Sequence, residues 1–165
     1  MTANSLPYDS PNPLLDFSGL PRFDALAVMH VQPAISELLK RQRALIGRLT
    51  SDGVAATWTN FAAPLSDGFE QLARAWGTVG HVHAVNDVRE WRDAYNAMLP
   101  EVSRFYAEVG QNLRLFEKYK SIAASEEYAQ LAPARRRIID QEIRDFRLSG
   151  AELSEDSKPR FRAIS

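Results

Sequence analysis

The sequence predicts an all-α fold, and three observations carry that expectation. Apolar residues recur at steps of three and four through most of the chain, no stretch alternates apolar with polar residues as a strand would, and nothing repeats at a fixed period. The clearest stripe is Trp58, Phe61, Leu65, Phe69, Leu72 and Trp76. Steps of three and four return a side chain to the same side of a helix, so such a stripe marks the face turned to a core.

Residues 1–31 read differently from the rest. Pro7, Pro11, Pro13 and Pro21 break regular helix, yet Leu14, Leu15, Phe17, Leu20, Phe23 and Leu26 lie among them. A free tail has no use for those side chains. The expectation is an extended Pro-rich arm over residues 1–31, packed along a helical domain of residues 32–165.

A first helix is expected from Pro33, where a missing N–H costs nothing in the first turn. Ile35, Leu38, Leu39, Leu45, Ile46 and Leu49 form its stripe, Glu37 and Arg41 pair one turn apart, and Ser51-Asp52-Gly53 ends it. The second stretch starts near Thr57 and continues through Val79 toward Asn86, with Pro64 expected to kink it or to open a new helix within it. Asp87, followed three residues later by Glu90, reads as an N-cap with its capping box. The third stretch carries Trp91, Tyr95, Met98, Val102, Phe105, Val109, Phe116, Tyr119 and Ile122, with Pro100 as a kink and Gly110 as an interruption. Ser125 reads as the cap of a fourth region that Pro133 divides, with Ile138, Ile139, Ile143 and Phe146 in the second part and Gly150 as its stop signal. Beyond Ser154 a new amphipathic pattern, Phe161 and Ile164, has barely begun when the sequence ends at Ser165. The domain is therefore expected to be incomplete, interrupted in its last helix, and to leave apolar surface on the arm and on Phe161 and Ile164 that favours association.

Composition sets further bounds. The chain has 165 residues, fitting one domain or the first part of a larger protein, and at 45% hydrophobic and 25% charged it is ordinary for a folded domain. Twenty basic residues face 21 acidic ones, with no basic stripe of the kind phosphate binding requires; Arg135-Arg136-Arg137 is short, is followed by Asp140, Glu142 and Asp145, and reads as a solvated helix face. Neither a nucleic-acid partner nor a membrane is expected. No cysteine is present, which removes disulfides, thiolate zinc sites and cysteine nucleophiles. The first residues lack the basic and apolar regions of a secretory signal, and no apolar run approaches the roughly 20 residues of a membrane span, so the expected compartment is the cytoplasm.

The search for chemistry returns little. A zinc-protease helix carries His-Glu-x-x-His, which sets two imidazoles and a glutamate base on one face. His30, His81 and His83 are followed by Val31, Val82 and Ala84, and His81 and His83, two apart on a helix, diverge by about 200°. Neither a glycine-rich phosphate loop nor a Gly-x-Ser-x-Gly elbow occurs. Glu70, Asp93 and Glu101 fall on expected solvent faces, Glu70 with Arg74 one turn on. No catalytic, cofactor-binding or metal-ligating residue is assigned to this segment.

Several stretches, taken in order, resemble one family. Asn12-Pro13-Leu14-Leu15-Asp16-Phe17, Leu20-Pro21-Arg22-Phe23-Asp24 and His30-Val31-Gln32-Pro33-Ala34-Ile35 are similar to the opening of the oligopeptidase A branch of the thimet oligopeptidase family of zinc peptidases. The similarity continues through Thr57-Trp58-Thr59-Asn60-Phe61, Ala63-Pro64-Leu65, Arg74-Ala75-Trp76-Gly77, Val79-Gly80-His81, Arg92-Asp93-Ala94-Tyr95-Asn96 and Leu99-Pro100. Gly110-Gln111-Asn112, Tyr119-Lys120 and Arg144-Asp145-Phe146-Arg147-Leu148-Ser149-Gly150 complete the series. Ala27-Val28-Met29 departs from the more polar run of many relatives.

The resemblance implies a helical, bilobed metalloendopeptidase that cuts short peptides in a channel between its lobes, with one zinc on a His-Glu-x-x-His helix far beyond the part resembled here. This segment would then be an N-terminal, non-catalytic portion helping to wall the channel, inactive alone, with the catalytic lobe as its missing partner. The competing expectation is a stand-alone helical module that binds a peptide or a protein without catalysis.

Overall fold

The computed structural model describes residues 12–153. Six α-helices account for most of them: α1 (Val31–Leu49), α2 (Ala63–Val85), α3 (Arg89–Gly110), α4 (Leu113–Ala123), α5 (Glu126–Gln130) and α6 (Pro133–Leu148). No strand occurs among the described residues, so the fold is all-α as the periodicity predicts. The pattern of Phe161 and Ile164 and the start of the arm lie outside the described residues.

From Asn12 to His30 the arm turns through three short 3-10 helices, Pro13–Leu15, Phe23–Ala25 and Val28–His30. Asn12 organises its beginning: its carboxamide oxygen accepts from the Leu14 N–H at 3.0 Å while its nitrogen donates to the His30 carbonyl at 2.9 Å. That second bond ties the start of the described part of the arm to its end at His30, and Leu14 between them is buried in the core, 5% exposed. The last turn runs straight into α1, which starts at Val31, two residues before Pro33. Proline is tolerated there because the first turn's N–H groups have no intrahelical partner.

Helices α1, α2 and α3 pack against one another. The second apolar stripe does what its spacing predicts: Phe61, Leu65, Leu72 and Val79 are buried, with Trp58, Phe69 and Trp76 half-buried against them. Where α1 and α2 cross, Gly68 lets the backbones close up, for a Cβ there would stand 2.5 Å from a Leu45 methyl and 2.7 Å from the Gln42 carboxamide oxygen. Between α1 and α3, Arg43 pairs with Glu108 at 3.0 Å and lies over the Phe105 ring.

Of the two outcomes open at Pro64, the structure takes the second. Trp58–Ala62 form a single π turn, and α2 proper starts at Ala63 with Pro64 in its first turn. Proline has no N–H to return to an earlier carbonyl, and the preceding turn widens, with the Ala62 N–H reaching back to the Thr57 carbonyl at 3.3 Å. The head of this helix is capped twice. The Thr57 hydroxyl accepts from the Asn60 N–H at 3.1 Å, and the Glu127 carboxylate accepts from the Trp58 N–H at 3.3 Å. A carboxylate at a helix N-terminus also answers the helix dipole.

The capping box expected at Asp87 does not form. The N-cap is Val88, in extended conformation, and the Asp87 carboxylate instead accepts from Arg92 at 2.8 Å. Helix α3 continues through Pro100 to Gly110. The third stripe breaks at Gly110, and Asn112 caps α4 by accepting from the N–H groups of Arg114 and Leu115, both at 3.1 Å. Helix α4 then packs on α6 through Phe116, Tyr119 and Phe146, and Phe61 joins the two halves of the core by meeting Tyr119 at 5.0 Å. Gly150 ends α6 as expected, with φ of 84°. The Gly150 N–H donates to the Arg147 carbonyl and the Ala151 N–H to the Phe146 carbonyl, both at 3.0 Å, which is the Schellman pattern.

Candidate functional site

The three histidines are placed by three different jobs. His30 closes the turn at the end of the arm, its Nδ1 accepting from the Ala27 N–H at 3.0 Å, so its neutral form carries the proton on Nε2. His81 lies edge-on to Phe23 at 5.4 Å. His83 stacks on Tyr95 at 4.4 Å, and Tyr95 stacks on Trp76 at 4.7 Å. Trp76 and His83 are two turns apart on one side of α2, with Gly80 between them, where a Cβ would stand in ordinary contact with the Tyr95 ring at 3.9 Å. The result is a half-buried ladder of three rings clamping α3 to α2. Trp76 and Tyr95 were readable as core from the spacing; the pairing of Tyr95 with His83 depends on where α3 crosses α2, which spacing does not report.

The expected surface carboxylates mostly find nearby cations: Asp93 meets Arg89 at 3.5 Å and Glu101 meets Arg104 at 2.8 Å. Glu70 forms no ion pair among the described residues, because Arg74 turns the other way and sets its guanidinium 5.8 Å from the Phe17 ring of the arm. Within the basic run, Arg135 lies over Trp58 at 5.1 Å, so it joins α6 to the π turn before α2 as well as contributing to the solvated face.

One carboxylate stands apart. Glu142 on α6 is half-buried and has no ion-pair partner among the described residues. Burial, and then the charge of Asp145, push its pKa above the usual carboxylate range. The Tyr119 hydroxyl is pushed well above its ordinary value by burial and by Glu142. A shallow groove runs between α4 and the α1–α2 loop, lined by Thr50, Asp52, Leu113, Arg114, Glu117 and Lys118. Lys118 crosses its floor and donates to the carbonyls of Ser51 and Val54, which pins the loop to α4.

Among the described residues, no three His, Asp or Glu side chains gather into a group that could hold a metal ion, so they do not fit the zinc that the resemblance implies. No helix of the described residues is long and apolar enough to cross a membrane.

Residues 35–158 match the family described as Neurolysin/Thimet oligopeptidase, N-terminal domain. The chain belongs to that family. Oligopeptidase A of Haemophilus influenzae is 36% identical over 153 residues, covering 93% of this chain and 22% of that protein. Oligopeptidase A of Escherichia coli is 33% identical over 154 residues, covering 93% of this chain and 23% of its own length. The probable cytosolic oligopeptidase A of Arabidopsis thaliana is 32% identical over 155 residues, 94% of this chain and 22% of the relative. The chain thus spans less than a quarter of the length of these relatives. The family match runs from within α1 through α6, and Trp76, Gly80 and Tyr95 all lie in the stretches whose resemblance the sequence displays.

Proposed function

We propose that this chain is the N-terminal, non-catalytic helical segment of an oligopeptidase A-like zinc metalloendopeptidase that degrades short peptides. The observation that carries this reading is the continuous match of residues 35–158 to the N-terminal domain of the thimet oligopeptidase family. On this reading the zinc, its ligands and the base that activates water come from residues outside these 165, and the segment supplies a wall of the peptide channel and the stability of one lobe. Its partner is the catalytic remainder, and its domain organisation is an N-terminal arm over residues 1–31 followed by a helical portion over residues 32–165. The proposed compartment is the cytoplasm, in keeping with the relative named as cytosolic.

Two measurements test the reading. The purified chain, supplied with zinc and a quenched fluorescent peptide, is expected to give no chelator-sensitive cleavage. A chimera in which this chain replaces the matched N-terminal stretch of the Escherichia coli oligopeptidase A is expected to cleave the same peptide in a chelator-sensitive way. A soluble, folded chimera without cleavage would sink the proposal.

A further inference from the structure

Ten large apolar side chains are exposed among the described residues: Leu99, Tyr106, Leu113, Ile138 and Leu148 are scattered over α3, α4 and α6, and the other five fall in two segments of the chain. Leu20 is 89% exposed, Phe23 49%, Met29 63%, Val85 69% and Val88 43%. All five belong to the arm or to the join of α2 and α3, Val85 as the last residue of α2 and Val88 as the N-cap of α3, and the Phe23–His81 contact sets the arm beside the end of α2. Phe23 touches His81 at 5.4 Å, and Val85 stands one turn further along the same side of α2. The turn at Val28–His30 packs on α1 and α3. Helix α3 starts at this end and carries the chain roughly 32 Å away at 1.5 Å per residue, to where Gly110 meets Ser149.

The arginines beside these side chains are paired within the chain. Arg22 pairs with Asp24 at 3.6 Å, Arg92 with Asp87 at 2.8 Å and Arg89 with Asp93 at 3.5 Å. An apolar centre with an internally paired rim is the composition of a protein–protein contact, and it offers neither the free cations that attract phosphate nor those that attract an anionic membrane. The relatives add the occupant: more than three-quarters of each lies outside the stretch matched here.

We propose that the exposed apolar end formed by Leu20, Phe23, Met29, Val85 and Val88 is the surface on which the catalytic remainder of the peptidase seats, an inference that rests on the function proposed above. At 69% and 68% exposure, Val85 and Leu148 are equally accessible, but Leu148 lies at the far end of the molecule and serves as the matched control.

The test compares L20S/V85S with L148S in two settings. In the isolated 165-residue chain both variants are expected to melt with the parent, because substitutions of exposed side chains scarcely alter folding. In the Escherichia coli chimera L20S/V85S is expected to lower the melting temperature by about 3–6 °C and to reduce peptide cleavage, while L148S changes neither. Chimera variants indistinguishable from the parent, or a loss confined to L148S, overturn the docking surface and leave the proposed function standing. An inactive parent chimera overturns both. Sedimentation supplies the remaining arm: an isolated chain that dimerises, with L20S/V85S abolishing the dimer and the chimera unaffected, assigns this end to a second copy and overturns the proposal.

Discussion

The Gln42 side-chain nitrogen donates to the Gly68 carbonyl at 2.7 Å, a buried bond that spans the crossing of α1 and α2. It exists because Gly68 has no side chain. Any Cβ at position 68 would collide with the same glutamine and with Leu45. Gly68→Ala is therefore expected to destabilise the chain by about 1–3 kcal/mol, the usual cost of overpacking a close contact. Urea unfolding followed by circular dichroism measures it. A variant as stable as the parent would mean that α1 and α2 separate at no cost.

Gly150 holds a positive φ that other residues reach only with strain. Gly150→Ala is expected to cost about 1–2 kcal/mol, whereas at Gly47 an added Cβ meets nothing. Gly47 lies inside α1, so Gly47→Ala is expected to stabilise the chain slightly. Opposite signs in one set of melting curves would confirm both assignments.

Asn112 satisfies two N–H groups at the head of α4 with one side-chain oxygen. Replacing it by alanine is expected to cost about 1 kcal/mol, and replacing it by aspartate much less, since Asp also caps well. Amide hydrogen exchange supplies the local readout: protection at Arg114 and Leu115 falls in the alanine variant.

The raised pKa of Glu142 makes a pH prediction with a definite sign. The folded protein binds the proton on this carboxyl more tightly than the unfolded chain does, relative to the ordinary value of 4.5. The carboxyl is therefore well tolerated below that pH, and its ionisation weakens the fold as pH rises through the folded-state pKa. Glu142→Gln is expected to melt higher than the parent at pH 7 and to converge with it near pH 4. A variant that gains nothing at pH 7 would show that the carboxylate is adequately solvated where it stands.

Periodicity made the helices legible, and the reason is physical. A stripe such as Trp58, Phe61, Leu65, Phe69 and Leu72 has only one way to leave water at once, and the structure takes it. Stop signals with a steric basis were equally readable, as at Gly150. The capping box at Asp87 was misread because two fates compete for one carboxylate. Asp87 is equally able to cap a helix or to pair with Arg92, and the helix starts one residue later than the box requires. Nothing local decides between them. The candidate site was less legible still: the Trp76–Tyr95–His83 ladder and the burial of Glu142 depend on which helix lies beside which, and tertiary neighbours leave no mark in the spacing.

The bond from the Trp58 N–H to Glu127 joins residues 69 positions apart in sequence. As the polypeptide leaves a ribosome, the head of α2 emerges long before the carboxylate that completes it. Until α5 arrives, that first amide has only solvent, and the π turn before Pro64 lacks its anchor. The opening of α2 is thus closed from behind, by an element made much later, and any protein ending before residue 127 would carry α2 with a frayed beginning.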